Sequence, residues 1–251
     1  MIHVGTVSRV RIVGIGCHPG QLTLEAREAI ASCDYVIAAD KGPADPLLAL
    51  RRAICADVGV ELVAVPDPER DRSADLGGSG YDGAVLDWHD ARAAAYASLI
   101  AERPGAVGFL VWGDPAFYDS TIRVVERLVS DLGVAYDVLP GVPALSLLAA
   151  RHRIVLHEVG RPVLVTTGRR LAAEVEAGHD NLVVMLDGRL QATLLAGDWD
   201  IWWGANLGSP HEELVAGRLG DVVEEIRTAR ARAKAADGWV MDTYLLRRRR
   251  P

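Results

Sequence analysis

What this chain of 251 residues lacks narrows it first. No apolar run approaches the ~18 residues that a membrane-spanning helix needs, and the N-terminus shows no leader layout, so neither a membrane nor a secretory role is expected. Cysteine is sparse. Cys17, Cys33 and Cys55 are odd in number and show no CxxC or Cys/His ligand spacing, which argues against a disulfide framework or a metal site and suits a reducing cytoplasm. Positive charge is in deficit: 27 Lys and Arg against 34 Asp and Glu leave a formal net charge of −7, which speaks against a nucleic-acid-binding body. Internal repeats and low-complexity linkers are absent. What remains is 50% hydrophobic and 24% charged, an ordinary globular composition with length for one large domain or two smaller ones.

Periodicity then sets the order of elements. Residues 9–16, RVRIVGIG, are rich in Val and Ile and end in glycines, as a buried parallel strand does. A helix follows in LTLEAREAIASC, with Thr23 as its N-cap. YVIAAD is a second strand ending on Asp40, DPLLALRRAICADV a helix, and VELVAVP a third strand. Residues 66–84, full of Pro, Gly, Asp and Ser, read as the longest loop, and loops of that length tend to be functional. DWHDARAAAYASLIAER, AVGFLVWG, STIRVVERLVSDLG and AYDVLPG continue as helix, strand, helix, strand. Such alternation predicts a parallel, doubly wound sheet. Past residue 150 strands dominate (RPVLVTTGR, NLVVMLDG, DIWWGANLG, WVMDTYLLR) with one long helix over 221–236, which predicts an α+β domain with a mixed sheet. The expected division is 1–118 and 119–251, with the boundary somewhere in 115–150.

Chemistry concentrates where strands end. The stretch VWGDPAFYDST, residues 111–121, stops an apolar strand at Gly113-Asp114-Pro115 and follows it at once with hydroxyls and a further carboxylate. GIGCHPG, residues 14–20, and LPGVP, residues 139–143, are likewise glycine-bearing turns after strands. In a parallel sheet the C-terminal strand ends share one edge, and ligands bind in the crevice there. Glycine and proline also punctuate strand ends with no functional reason. The first loop together with Asp40 admits a nicotinamide-dinucleotide reading, although the glycines run Gly14, Gly16, Gly20 and miss the GxGxxG spacing.

The first-loop glycines followed by LTL, the GDP turn after the fourth strand and PGV after the fifth together resemble the tetrapyrrole methylases, two-domain enzymes that use S-adenosylmethionine (SAM). DKG at 40–42, DPERDR at 67–72, WH at 88–89, TTGRR at 166–170, VVMLDG at 183–188, WWGANLG at 202–208 and GWVMDTYLLR at 238–247 narrow the resemblance to the deacetylating C-methyltransferases of aerobic cobalamin biosynthesis. It spans about residues 10 to 247. It departs in the first loop, where Cys17-His18-Pro19 replaces the usual GxGPGD or GTGNP pattern and is one residue shorter. The resemblance implies a tetrapyrrole-methylase-like fold, a parallel-sheet α/β domain followed by an α+β domain. It also implies precorrin-5 as a small-molecule acceptor methylated at C-1 with its acetyl group released as acetate, S-adenosylhomocysteine (SAH) as by-product, and a cytoplasmic homodimer with no metal. Carried over by position, the cofactor contacts are Gly16, Pro19, Gly113, Asp114, Pro115, Pro143, Ala144, Met185, Gly204, Ala205 and Met241.

Deacetylation needs a base to activate water and a donor to polarise the acetyl oxygen. Loop position makes Tyr118, Asp119, His89 and Asp187 the candidates, Tyr118 foremost. A polycarboxylate acceptor on a net acidic chain needs local positive charge, for which Arg70, Arg72, Arg92 and Arg169 stand as substrate-binding candidates, with Tyr244 beside them. The 66–84 loop, with Arg70 and Arg72 among glycines, is expected to fold as a lid over an open trough for the macrocycle. Three other readings stay open: methylation at another ring position or of another acceptor, a non-catalytic SAM- or nucleotide-binding regulator, and the nicotinamide oxidoreductase.

Overall fold

The computed structural model describes residues 7–42, 45–68 and 79–249, with backbone alone for 79–85, 131 and 132. The chain divides between Val142 and Pro143 into two compact units.

The first unit is a five-stranded parallel sheet. Its strands β1 (Val7–Gly14), β2 (Tyr35–Asp40), β3 (Glu61–Pro66), β4 (Gly105–Val111) and β5 (Tyr136–Leu139) lie in the order β3-β2-β4-β1-β5. Both faces are covered. Helices α1 (Leu24–Ala31) and α2 (Pro46–Val58) bring Ala26, Ile30, Ile54 and Cys55 against Val13, Val36 and Leu110. On the other face α3 (Ser79–Glu102) and α4 (Thr121–Leu132) bring Tyr96, Ile100, Val124 and Leu128 against Ile12, Ile37 and Phe109. Burial on both sides is why these strands read as continuous apolar runs rather than alternating ones. The helix starts follow from capping: Thr23 Oγ1 accepts from the Ala26 amide at 3.0 Å, and Asp45 Oδ1 accepts from Leu47 and Leu48 with Pro46 at the first helical position.

One expectation needs correction. The 66–84 segment is not a loop throughout, because α3 begins at Ser79 and carries Gly80 and Gly83 within it. A glycine costs about 1 kcal/mol in a helix, but a helix of 24 residues with Ala93, Tyr96 and Ile100 buried absorbs that. Residues 69–78, including Arg70 and Arg72, lie outside the described residues, and the lid with them.

The second unit is a mixed sheet of β6 (Leu164–Thr167), β7 (Asn181–Met185), β8 (Trp199–Ala205), β9 (Glu213–Arg218) and β10 (Asp242–Arg248), ordered β6-β7-β10-β8-β9. Only β6 and β7 pair in parallel. Its helices are α5 (Ala144–His152), α6 (Leu171–Glu176) and α7 (Leu219–Asp237). Trp199, Trp203 and Tyr244, all fully buried, form the core with Leu182, Val184 and the α7 residues Ile226, Ala229 and Ala233. The short elements β9 and α6 have no counterpart in the sequence reading; six residues carry too little periodicity to separate either from a loop.

Two local features organise these units. In the first, the ends of β4, β1 and β5 touch backbone to backbone. Gly16 and Gly113 exchange amide-to-carbonyl hydrogen bonds of 3.1 and 2.9 Å, both at positive φ (68° and 74°). A side chain on Gly14 would lie 2.5 Å from the Gly141 nitrogen, and one on Gly141 would overlap the Gly113 carbonyl oxygen. In the second unit, buried Asp242 receives Arg230 Nε at 3.1 Å. Burial, only partly offset by Arg230, raises its pKa from the ordinary 3.8 to about 6, and the neighbouring charge of Asp187 adds to the rise.

Gly141→Ala should therefore destabilise the protein by about 2–3 kcal/mol in a urea titration, since the new methyl group meets backbone that has nowhere to move. For Asp242 the folded pKa lies above the unfolded one, so its stabilising contribution is complete below about pH 4 and is lost as pH rises through about 6. Asp242→Asn should gain on the parent by on the order of 2 kcal/mol between about pH 4 and pH 7. A constant difference in unfolding free energy across that range would contradict this.

Candidate active site

The first loop closes on itself. His18 Nδ1 accepts from the Gly20 amide at 2.9 Å, Gln21 Oε1 accepts from the Cys17 amide at 2.8 Å, and Pro19 opens a single 3-10 turn, Pro19–Gln21. Cys17 is buried, and burial pushes its thiol up to about 12, so it is no nucleophile. This geometry counts against the dinucleotide reading. A dinucleotide loop runs straight into a helix N-terminus, whereas here the 3-10 turn and the Thr23 cap come between, and Asp40 Oδ1 is engaged by the Gly42 amide at 2.8 Å.

The GDP turn is wired to both neighbours. Gly113 bonds to Gly16, while Asp114 accepts from the Ala116 amide through Oδ1 (2.8 Å) and from the Gly141 amide through Oδ2 (2.9 Å). Asp114 is thus a strut between the β4 and β5 loops, with Pro115 stiffening the bend behind it. Immediately beyond, Tyr118 sits at φ 52° with 44% of its surface exposed. A left-handed tyrosine is uncommon, and such residues gather at functional loops. Asp119 Oδ1 accepts from the Thr121 amide at 2.6 Å at the start of α4. His89 lies within α3 rather than at its start, buried, with its ring 5.4 Å from that of Trp88.

Among the arginines, Arg92 has its fork on Asp67 (2.8 and 2.9 Å) and its guanidinium 4.0 Å above the Trp88 ring, so its charge already has a partner. Arg169 lies exposed on the turn after β6, and its neighbour Arg170 pairs with Glu174 at 2.8 Å.

In the second unit one end of the sheet collects the expected contacts. The register sets Thr243 opposite both Met185 and Gly204, and Thr167 opposite Met185. Gly204 is packed tightly, since a side chain there would lie 2.7 Å from Leu207 Cδ2 and 3.2 Å from Leu148 Cδ1, and Ala205 is fully buried. Met241 is gripped by Asn206, whose Oδ1 accepts from its amide (2.8 Å) and whose own amide donates to its carbonyl (2.9 Å). Asn206 also donates through Nδ2 to Asp237 (2.8 Å), which in turn holds His211 at 2.6 Å. Sequence reasoning passed over Asn206; the available signal was asparagine's tolerance of the left-handed region, here φ 48°. Asp187 and Tyr244, expected in different roles, meet: the Tyr244 hydroxyl donates to Asp187 Oδ2 at 2.5 Å. Burial first, then the charge of Asp187, push the Tyr244 hydroxyl well above its ordinary pKa, so it stays a donor. Asp187 also accepts from the Gln191 and Arg189 amides and is itself buried. The pair lies in the core, holding the turn that contains Leu186 and Leu190 at φ 55° and 53°. At the start of this unit Pro143 is the N-cap of α5 and Ala144 its first residue; no side chain caps that helix, which leaves backbone donors of the kind a carboxylate takes.

Among the described residues no helix is long and apolar enough to cross a membrane, and no cluster of His, Cys, Asp or Glu could hold a metal ion. The family model for the tetrapyrrole (corrin/porphyrin) methylases matches residues 9–223. A curated relative from Sinorhizobium sp., named precorrin-6A synthase [deacetylating], is 42% identical over 255 residues, 96% of this chain and 95% of its own. Among solved structures, the cobalamin-synthesis-related protein CobF of Corynebacterium diphtheriae superposes with a TM-score of 0.80 at 35% identity, covering 96% of this chain and 99% of that one. The uroporphyrin-III C-methyltransferase of Thermus thermophilus, at 19% identity and a TM-score of 0.59 over 95% of this chain and 91% of that one, shares the fold. By the family match and by the full-length relative, the chain belongs to the tetrapyrrole methylases and is a methyltransferase.

Proposed function

We propose that this methyltransferase uses SAM to methylate precorrin-5 at C-1 and releases the acetyl group there as acetate, within aerobic cobalamin biosynthesis. The observation that carries the reading is the 42% identity to the deacetylating precorrin-6A synthase, sustained over 96% of the chain. The same reading takes the enzyme to be cytoplasmic and homodimeric.

The residues present fit the cofactor. The glycine junction brings three loop backbones together at the sheet edge of the first unit, and in the second the uncapped start of α5 and the Met185, Ala205 and Met241 edge combine peptide donors with apolar surface. A ligand with an amino-acid end and an adenine needs both. When bound, SAM supplies a methyl group on a sulfonium that is already a good leaving group, so positioning is the protein's main task. Gly16, Pro19, Gly113, Asp114 and Pro115 of the first unit, and Pro143, Ala144, Met185, Ala205 and Met241 of the second, are the residues that would hold it, with Gly204 packed against Leu207 and Leu148 in support.

Deacetylation asks more of the side chains. Water adds to the acetyl carbonyl, the bond to the ring breaks, acetate departs, and the electron pair left on the ring carbon takes up the methyl group. Of the four candidates, His89 and Asp187 are buried and Asp119 holds the first turn of α4, whereas Tyr118 is half exposed on a left-handed backbone just past the GDP turn. We assign Tyr118 the donor role, polarising the acetyl oxygen. Asp187 and Tyr244 act from the core as supports for the Met185 turn.

SAM or SAH at about 100 times its dissociation constant should stabilise the protein by about 2.7 kcal/mol. A thermal-shift titration responding to NAD and to neither of these would overturn the cofactor assignment. Tyr118→Phe should lower the rate of acetate release about 100-fold while SAH affinity stays at the parent value. Equal rates for the two proteins would remove Tyr118 from the chemistry.

A further inference from the structure

In the parallel sheet β2 and β4 part before either strand ends. Strands β2 and β4 are neighbours, but their connections leave in opposite senses. From β2 the chain passes through α2 to β3 at the sheet margin, and from β4 through α4 on the other face toward β5. Adjacent strands whose connections diverge mark the place where open α/β sheets bind ligands. The register shows the opening. The β2–β4 pairing stops at Ile37 opposite Phe109, while β2 continues beside β3 as far as Asp40 opposite Pro66 and β4 continues beside β1 as far as Val111.

Positive charge gathers there. Arg51 reaches from α2 to the Leu110 carbonyl, donating through Nε at 2.8 Å where β4 has parted from β2. Lys41 follows directly on the last residue of β2. Arg92 faces the same region and is matched by Asp67. The other carboxylates nearby are engaged by backbone amides: Asp40 by Gly42, Asp45 by Leu47 and Leu48, Asp119 by Thr121. Among the described residues neither Lys41 nor Arg51 has a carboxylate within ion-pair distance. Desolvation ahead of any other influence lowers the pKa of both and Arg92 adds to this, while Asp45 acts against it at both, Asp67 at Lys41 and Asp119 at Arg51. These acids act from beyond contact distance, so an anion seated directly on both cations would add a charge-assisted contact that neither makes with a carboxylate among the described residues.

We propose that Lys41 and Arg51 form a binding subsite at the β2/β4 crevice for one carboxylate arm of the tetrapyrrole acceptor. The proposal rests on the functional reading above. It gives a site role to Lys41 and Arg51, neither of which stood among the site candidates, and it replaces Arg92, whose fork is taken by Asp67, as the source of local positive charge in the first unit. A carboxylate suits the pair: Lys41 offers a mobile point charge, and Arg51 offers the outer edge of a guanidinium already oriented by its bond to Leu110.

The test compares wild type with Lys41→Gln, Lys41→Arg and Arg51→Lys, using uroporphyrin III as a stable polycarboxylate probe followed by fluorescence quenching. SAH affinity is measured by calorimetry on the same samples. Lys41→Gln should weaken porphyrin binding about tenfold, in keeping with the loss of one charge-assisted contact, and Lys41→Arg should restore most of it. SAH affinity should stay within about twofold in each. With precorrin-5 as substrate, KM should rise in Lys41→Gln while kcat holds. Undiminished porphyrin binding in a Lys41→Gln protein of normal melting temperature would overturn the subsite, and so would a parallel loss of SAH, which would make the anion the cofactor's own carboxylate. Because Lys41 lies at the crevice rim, its variants keep the test independent of any folding defect in Arg51→Lys. A wild-type protein that neither binds the porphyrin nor turns over precorrin-5 would instead fail the functional reading, and the subsite with it.

Discussion

The backbone contact among Gly14, Gly16, Gly113 and Gly141 is the constraint from which the first unit's working edge follows. Three parallel strands approach so closely at their ends that no side chain fits between Gly14 and Gly141, and the reciprocal bonds of Gly16 and Gly113 require positive φ at both. Once those contacts are set, Asp114 can only point along the edge, where it meets the Gly141 amide. In the turn after it Tyr118 takes a left-handed backbone and is 44% exposed. A stiff turn rich in polar groups at the end of a buried strand thus has a mechanical cause. Its first carboxylate fastens two loops, its second starts a helix, and the tyrosine between them is left facing outward.

The second unit reaches a similar result by other means. Its sheet edge has no glycine junction. Instead, non-glycine residues in the left-handed region follow two of the strands, Leu186 after β7 and Asn206 after β8. Each is held by a buried polar group: Asp187 ties down the first turn through Tyr244 and two amides, and Asn206 fastens the second to Met241 and Asp237. Strained backbone persists only where neighbours over-determine it. The hydrogen bonds that do so here lie directly behind Met185 and Met241.

Much of this was legible in the residues, and the parts that were not share a cause. The alternation of strands and helices through the first unit reads plainly because burial on both faces makes each strand a dense apolar run. The three glycine loops were legible as chemistry because glycine at a strand end reports close approach. Helix α3 was misjudged at its start because glycine signals a break locally, whereas a long helix with a buried face is decided by the whole. The roles of Asp187 and Tyr244 were not legible, since they come from a contact 57 residues apart along the chain, between one strand's exit and another strand. Arg51 was invisible for a related reason. A helix arginine on an amphipathic surface looks solvated until the sheet register shows the carbonyl it reaches.

Charge placement follows the same logic. A chain with net charge −7 that handles a polyanion must hold its positive charge where acids cannot cancel it. Six arginines on the surface do not meet that condition here: Arg27, Arg103, Arg127, Arg151, Arg218 and Arg232 each lie against an Asp or Glu. In the gap where two strands part, no carboxylate among the described residues lies within ion-pair distance of Lys41 or Arg51. There the nearby acids are held by helix-start amides and by Arg92. A topological switch point is thus more than a hollow. By separating strands it exposes a carbonyl that orients a guanidinium.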